Sequence, residues 1–399
     1  MSSANVDPVS KQLRILIILN LEWNRHLGAA RIYMELADQW RAAGHEVERF
    51  TFSEAFPSGH RSSREFAVRR LLFPIRAAAF VRKHRGRFDV IDALIGSIKT
   101  GKAGLNFTGL LVARSVGSHR LYDEFEKSVH TRWPGMNQGS VAGRLFYGAV
   151  NRRVIAVSDS ALRQADLINV PNTEEAEFLR RDGRLNAPVL VEPYGLTDEQ
   201  YDALSSTISH SNGRLQAKRI SFVGMWAPRK GSKVWGEIIR RVRQQVPEAK
   251  FRFLGTMVSA ETVLSDVGDD VADSIESISE FTPDDLPNLL ADCTVGAFPS
   301  YVEGFGLAVL EQLAAGIPTV AFNHGGPRDI LRDFRELLVT TGNVEEFANA
   351  LVRTLGLGPA EYQQLQRASI ETAQRYRWPK ISSDTAEYYR SALTDLGSL

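Results

Sequence analysis

One cysteine, Cys293, stands in this 399-residue chain, which excludes an internal disulfide. It sits in the apolar run before Phe298 and reads as a small core residue rather than a nucleophile. Neither sign of charge predominates: 48 Lys plus Arg face 47 Asp plus Glu, so no chain-wide field points to nucleic acid. No run approaches the roughly 18 apolar residues needed to span a bilayer. The opening MSSANVDPVSKQ lacks the apolar core of a signal peptide, and a cytoplasmic location follows as the default expectation. No His, Cys, Asp or Glu cluster has metal-ligand spacing, and no short-period repeat appears.

What is present is alternation. The chain is too long for one ordinary core, so two domains are expected. Leu13 to Leu19 reads as an aliphatic strand, followed by a helix from about Ala29 to Ala43 with Ile32, Leu36 and Trp40 on one face. Gly44 stops that helix, and a second strand runs through Val47 and Phe50. Leu110 to Ala113 and Leu167 to Val170 read as later strands of the same sheet. Asn172 with Glu175 resembles a capping box for a helix ending near Arg181. LSSTISHSNGR, from Leu204 to Arg214, has the composition of a linker. The pattern then restarts with strands at Arg219–Val223, Phe251–Leu254, Val295–Phe298 and Thr319–Phe322, and a helix carrying Val234, Ile238, Ile239 and Val242. The sequence after Pro379 places Ala386, Tyr389 and Leu393 at helical spacing. Strand–helix alternation of this kind predicts parallel sheets with helices on their faces, an α/β fold.

The stretch FPSYVEGFGLAVLEQLAAGIPTVAFNHGGPRDIL, from Phe298 to Leu331, is the most specific. Gly304 and Gly306 permit a tight backbone approach, and a helix is expected just after Gly306, ended by Gly316 and Pro318. Glu303 and Glu311 stand eight residues apart across that turn. At 1.5 Å per residue this is roughly 12 Å, about the distance from a ribose through a diphosphate to a hexose. The free N–H groups and positive dipole of the helix start would face the phosphates between them.

These residues resemble the retaining glycosyltransferases of family 4, carried by Pro299, Ser300, Glu303, Gly304, Phe305, Gly306, Glu311, Ala315, Gly316, Pro318, Gly325 and Gly326. ISFVGMWAPRKG at 220 to 231 and ADLINVPN at 165 to 172 add to the likeness. The resemblance implies the GT-B architecture: an N-terminal Rossmann-like acceptor-binding domain over 1–200, a C-terminal nucleotide-sugar-binding domain over 215–375, their sheets facing across a cleft, and a helix over 376–399 crossing back. Trp378 stands where the family often has an aromatic residue.

Roles carry over by position. Lys230 matches the phosphate-binding lysine, after the strand's Gly224. Met225 stands where the family commonly has an arginine, so either Arg229 or an arginine from elsewhere supplies the second cation. Glu303, with the N–H groups of Gly304, Phe305 and Gly306, would hold the donor sugar, and Leu307 joins the donor side. Glu311 would accept from both ribose hydroxyls. Phe281 matches the position whose backbone meets the base, and also fits an ordinary core. On the acceptor side Gly28 and Ala29 keep half of the family's glycine pair. Val116 occupies the place of a frequent histidine, leaving His119, three residues on, as candidate or surface residue.

The implied reaction moves a sugar from a UDP- or GDP-linked donor to a hydroxyl on a lipid-linked sugar, a polysaccharide or a small molecule. It retains the anomeric configuration and calls for no metal or other cofactor. A sugar-nucleotide epimerase, a phosphorylase or a non-catalytic nucleotide-sugar binder remain alternatives on such a fold. From Arg61 to Arg87 nine Lys or Arg residues accompany one acid, Glu65, among Phe66, Leu71, Leu72, Phe73, Ile75, Phe80 and Val81. Such a segment suits peripheral contact with anionic lipid, although Pro74 is expected to interrupt it.

Overall fold

The computed structural model describes residues 12–25, 27–59, 62–134, 140–181, 183, 185–207 and 213–397. Two parallel sheets of six strands organise it. The first holds β1 (Arg14–Ile18), β2 (Glu46–Phe50), β3 (Val90–Leu94), β4 (Leu110–Arg114), β5 (Leu167–Val170) and β6 (Val189–Val191), in the spatial order β2-β1-β3-β4-β5-β6. The second holds β7 (Arg219–Val223), β8 (Lys250–Leu254), β9 (Ile275–Ile278), β10 (Val295–Phe298), β11 (Thr319–Phe322) and β12 (Leu338–Val339), ordered β12-β11-β10-β7-β8-β9. Helices on both faces force parallel strands to be apolar throughout. VIDAL, LLVAR and LINV of β3, β4 and β5 are accordingly buried at every residue. Each order reverses once, between β1 and β3 and between β7 and β10. Crevices open at such points, outside the carboxyl ends of the strands.

The exceptions to that apolar rule in β3, β4 and β5, Asp92, Arg114 and Asn169, lie on successive neighbouring strands and are wholly buried. Arg114 donates to Asp92 at 2.8 and 3.0 Å and to the Tyr389 hydroxyl at 2.9 Å, while Tyr389 donates to Asp92 at 2.6 Å. Glu192 completes the cluster, accepting from Thr385, Asn169 and, at 3.5 Å, Arg114. A buried charge is tolerable only when matched in this way. Tyr389 and Thr385 come from the Trp378–Asp395 helix, so this helix is bolted into the N-terminal sheet. Trp40 adds a bond to the Ser382 carbonyl at 3.0 Å. This last helix, which begins at Trp378, thus packs on the first sheet.

Three local expectations need correction. Pro74 does not interrupt its segment, because Ser63–His84 is one helix whose Phe73, Pro74, Ala77 and Val81 pack into the core. The described ends of the expected linker are packed: Leu204 and Thr207 are buried, and Arg214 donates to the carbonyls of Ala291 and Ala315 at 2.7 Å each. Residues 208–212 and Arg61 lie outside the described residues. Asn172 caps the Thr173–Arg181 helix through a 2.8 Å bond from the Glu175 N–H. The reciprocal half is missing, since the Glu175 carboxyl is buried against Ser115 and Ser118 instead.

Candidate active site

The two crevices face each other and form a cleft of about 710 Å³ lined from both sheets. Its C-terminal wall is built by two clasped loops. After β7 the chain turns at Gly224 (φ +148°) and makes a short 3₁₀ turn, Pro228–Lys230, ended by Gly231 at φ +87°. A Cβ on Gly231 would lie 2.4 Å from the Pro299 carbonyl, so only glycine lets this turn press on the loop after β10. The Tyr301 N–H donates to the Arg229 carbonyl at 2.7 Å and fixes the two loops together. As a result the Lys230 ammonium reaches the Glu303 carboxylate, both side chains being about one-seventh exposed. Burial alone would raise the Glu303 pKa; Lys230 first, then Arg229 and His324, outweigh it and hold the carboxyl below its usual range.

Gly306, in the left-handed region at φ +89°, starts the Leu307–Ala314 helix. Leu307 and Ala308 line the cleft, which aims the positive end of the helix into it. Glu311 lies one turn further on and also lines the cleft, its side chain 12% exposed. It accepts from both terminal nitrogens of Arg31 at 3.3 Å, across 280 residues of chain.

The cleft gathers Arg229, Lys230, Gly224, Phe281, Glu303, Phe305, Gly306, Leu307 and Glu311 on one side and Gly28, Ala29 and His119 on the other. Gly304 departs from expectation. Its missing Cβ faces the Val116 carbonyl, which a methyl group would meet at 2.3 Å, and its own carbonyl accepts from Asn172. Its N–H is turned to the Tyr122 hydroxyl. Gly304 is thus a contact between the two halves rather than an amide facing the cleft. Phe281 is half-buried, its ring 3.0 Å from where a Gly255 Cβ would lie, and it reaches the cleft as well. Met225 is 44% exposed, with its sulfur 3.3 Å from an Arg229 nitrogen. Arg229 also lies over the Tyr122 ring at 5.8 Å.

His119 is neither a loop nor a surface residue; it opens the His119–Arg132 helix. Ser158 donates its hydroxyl proton to the Val154 carbonyl at 2.9 Å, so at 2.8 Å from His119 Nδ1 it can only accept. With the hydroxyl proton on Val154, Nδ1 would be the donor to Ser158 and Nε2 the acceptor. Burial, then the nearby Arg70 cation, lowers the His119 pKa to about 4.

Sequence reasoning missed Arg31, Arg70, Tyr122 and Tyr194. Tyr194 follows β6, donates to the Ser115 carbonyl at 2.8 Å, stacks on Trp378 and meets Phe305 edge-on. The signal for Arg31 was one helical turn after Gly28, where a basic residue faces whatever the loop approaches. Among the described residues no three His, Cys, Asp or Glu side chains converge as metal ligands.

A family model described as Glycosyl transferases group 1 matches residues 217–357. A D-inositol 3-phosphate glycosyltransferase of Saccharomonospora viridis is 36% identical over 124 residues, 30% of this chain and 28% of that one. The chain thus aligns with well under two thirds of that relative's length. An MMP alpha-(1->4)-mannosyltransferase of Mycolicibacterium hassiacum is 25% identical over 333 residues, covering 80% of this chain and 75% of its own. Among solved structures, sucrose-phosphate synthase of Thermosynechococcus elongatus superposes with a TM-score of 0.72 at 18% identity, over 96% of this chain and all of that one, a likeness of fold.

Proposed function

We propose, on the premise that this chain is a GT-B glycosyltransferase of the family 4 type, that it moves a sugar from a nucleoside diphosphate to an acceptor hydroxyl with retention at the anomeric carbon. The observation that carries this reading is the placement of Lys230, Glu303 and Glu311 around one helix start at the β7/β10 crevice. Glu311 accepts from the ribose hydroxyls, the Leu307–Ala314 helix start and Lys230 face the diphosphate, and Glu303 takes the hydroxyls of the sugar.

Breaking the anomeric C–O bond leaves growing negative charge on the diphosphate. Fixed cations at that spot stabilise the transition state more than the ground state. Lys230 and Arg229 supply them, Arg229 in place of the arginine that Met225 replaces, so no divalent metal is called for. The acceptor oxygen enters on the face the diphosphate leaves, and a donor phosphate oxygen takes its proton. UDP- and GDP-linked sugars are the donors to try. The relatives named above are transferases, and none of them supports the epimerase alternative.

Incubation with such donors, with and without hydroxyl acceptors, tests this. Transfer supports it, while an epimerised donor, or tight binding without turnover under every acceptor, overturns it.

Contact with anionic lipid is the second reading, on a specific observation. Val68, Leu72 and Ile75, spaced along one side of the Ser63–His84 helix, are 48%, 46% and 57% exposed, and Leu145 and Tyr147 of the Val141–Gln164 helix are exposed too. Exposed Arg64, Arg82 and Lys83 accompany them. No described helix is long and apolar enough to cross a membrane. Replacing Val68, Leu72 and Ile75 by serine is expected to cut sedimentation with anionic vesicles; undiminished sedimentation removes this reading.

A further inference from the structure

What holds Arg229 differs from what holds the other cations beside it in the cleft. Lys230 meets Glu303 and Arg31 meets Glu311, whereas no carboxylate lies within ion-pair distance of Arg229 among the described residues. One of its terminal nitrogens lies 3.3 Å from the Met225 sulfur, and its guanidinium carbon stands 5.8 Å from the centre of the Tyr122 ring. An ion pair would fix the side chain and cancel its charge. A thioether and the negative face of an aromatic ring orient a guanidinium while leaving that charge for a ligand.

Tyr122 comes from the opposite half of the molecule, on the first turn of the His119–Arg132 helix, and it lines the cleft. Its ring occupies space that Gly117 leaves open: at φ +139°, a Cβ there would lie 2.7 Å from ring carbon Cε2 and 2.9 Å from the hydroxyl oxygen. The hydroxyl accepts from the Gly304 N–H. Burial first, then the Glu303 carboxylate, raises the phenol pKa, so the ring stays neutral. The same helix also governs the Arg229 main chain. Phe125 and, at the helix end, Trp133 pack on the Tyr301 ring with centroids 5.8 and 5.4 Å away, in one cluster with Val129 and Val302. The Tyr301 N–H in turn holds the Arg229 carbonyl at 2.7 Å. One helix of the N-terminal half thus reaches Arg229 twice, its main chain through Tyr301 and its guanidinium through Tyr122.

We infer that Tyr122 is a positioning residue for the leaving group: its ring face aims the Arg229 guanidinium at the diphosphate, so that a helix of the N-terminal half sets the charge on the donor wall. The role of Arg229 rests on the transferase reading. The oxygen released from the anomeric carbon belongs to the β-phosphate. The contribution of Tyr122 should therefore appear with a nucleoside diphosphate and fade with a monophosphate.

The test is calorimetric, with UDP and GDP as probes and UMP and GMP as controls that lack the β-phosphate. Arg229→Gln is expected to weaken whichever diphosphate wild type binds. Tyr122→Leu should weaken it roughly three- to thirtyfold, the range of a cation resting on a ring, while the matching monophosphate loses far less. In an Arg229→Gln background, Tyr122→Leu should have no further effect, because the two side chains act as one unit. Tyr122→Phe keeps the ring and should recover the diphosphate affinity, at a lower melting temperature because the Gly304 N–H loses its acceptor.

Equal losses of diphosphate and monophosphate in Tyr122→Leu mark a merely structural tyrosine and overturn the inference. So does a loss that persists undiminished in the Arg229→Gln background, or no loss at all. If Tyr122→Leu fails to fold, phenylalanines of rising fluorine content at position 122 keep the shape while stripping the ring of its negative face. Diphosphate affinity should then fall with each added fluorine, and affinity independent of fluorine content overturns the inference. Wild type that binds neither UDP nor GDP removes the donor reading and the inference with it. Any of the other adverse results, obtained while UDP or GDP still binds wild type, removes the inference and leaves the donor reading standing.

Discussion

Glu303 sits between two opposing influences, loss of water and the charge of Lys230, and the ion pair wins. Its folded pKa lies below the free value, so the stability it contributes is present above the unfolded carboxyl pKa and is lost as pH falls through the folded one. Removing the ammonium reverses the balance. Lys230→Met should leave Glu303 burdened by burial, raise its pKa and lower kcat by about a hundredfold, the scale seen when one charge-stabilising donor is lost. Steady-state rates over a pH series check both parts. Glu311→Ala should weaken donor binding by roughly ten- to a hundredfold by removing charge-assisted bonds to the ribose, measured as Kd for UDP. Lys230, Glu303 and Glu311 were legible because glycines and helical spacing frame them. Arg31 was not, because it meets Glu311 from 280 residues away and nothing local marks the encounter.

At the scale of elements, strand identity was readable and inter-element contact was not. Short aliphatic runs between stop signals gave β1, β5, β7, β10 and β11 nearly to the residue, since strands buried on both faces leave little compositional freedom. Pro74 misled because packing of Phe73 and Ala77 outweighs the hydrogen bond that a proline removes. Glu175 misled because a better partner than its own helix end, the Ser115 and Ser118 pair, lies on another loop. Gly304 was legible as a tight approach but not as an approach to Val116. Gly304→Ala should force that loop off the Val116 carbonyl and depress kcat/KM, while circular dichroism stays native. The same reasoning applies to the Trp378–Asp395 helix. Tyr389→Phe strips one bond each from Asp92 and Arg114 and should cost about 1–3 kcal/mol, read from urea melts.

For the molecule as a whole, buried titratable groups set opposite trends with pH. Burial lifts Glu175 and Glu192 to about 7, so each folded carboxyl keeps its proton where the unfolded chain has lost it. Their contribution is complete below the unfolded value near 4.5 and disappears as pH rises through about 7. His119 acts the other way: its stability is present above the unfolded value near 6.5 and is lost as pH falls toward about 4. Glu175→Gln should therefore gain on wild type between pH 5 and pH 8, and a gain in the opposite sense would refute the burial argument. Denaturant titrations at the two pH values give the comparison. The two-sheet plan was readable from length and alternation; this titration behaviour was not, because it depends on which loops meet in space.

The Asp92–Tyr389 bond joins residues 297 positions apart. During synthesis the N-terminal sheet leaves the ribosome long before its tyrosine exists. Until then Asp92 and Arg114 have each other, Tyr33 and Glu192 but not the Tyr389 hydroxyl, and the groove that receives the Trp378–Asp395 helix lies open to water and to other nascent chains. Maturation of the first half must wait for the second, which makes the window between those two moments the period when a chaperone has most to hold.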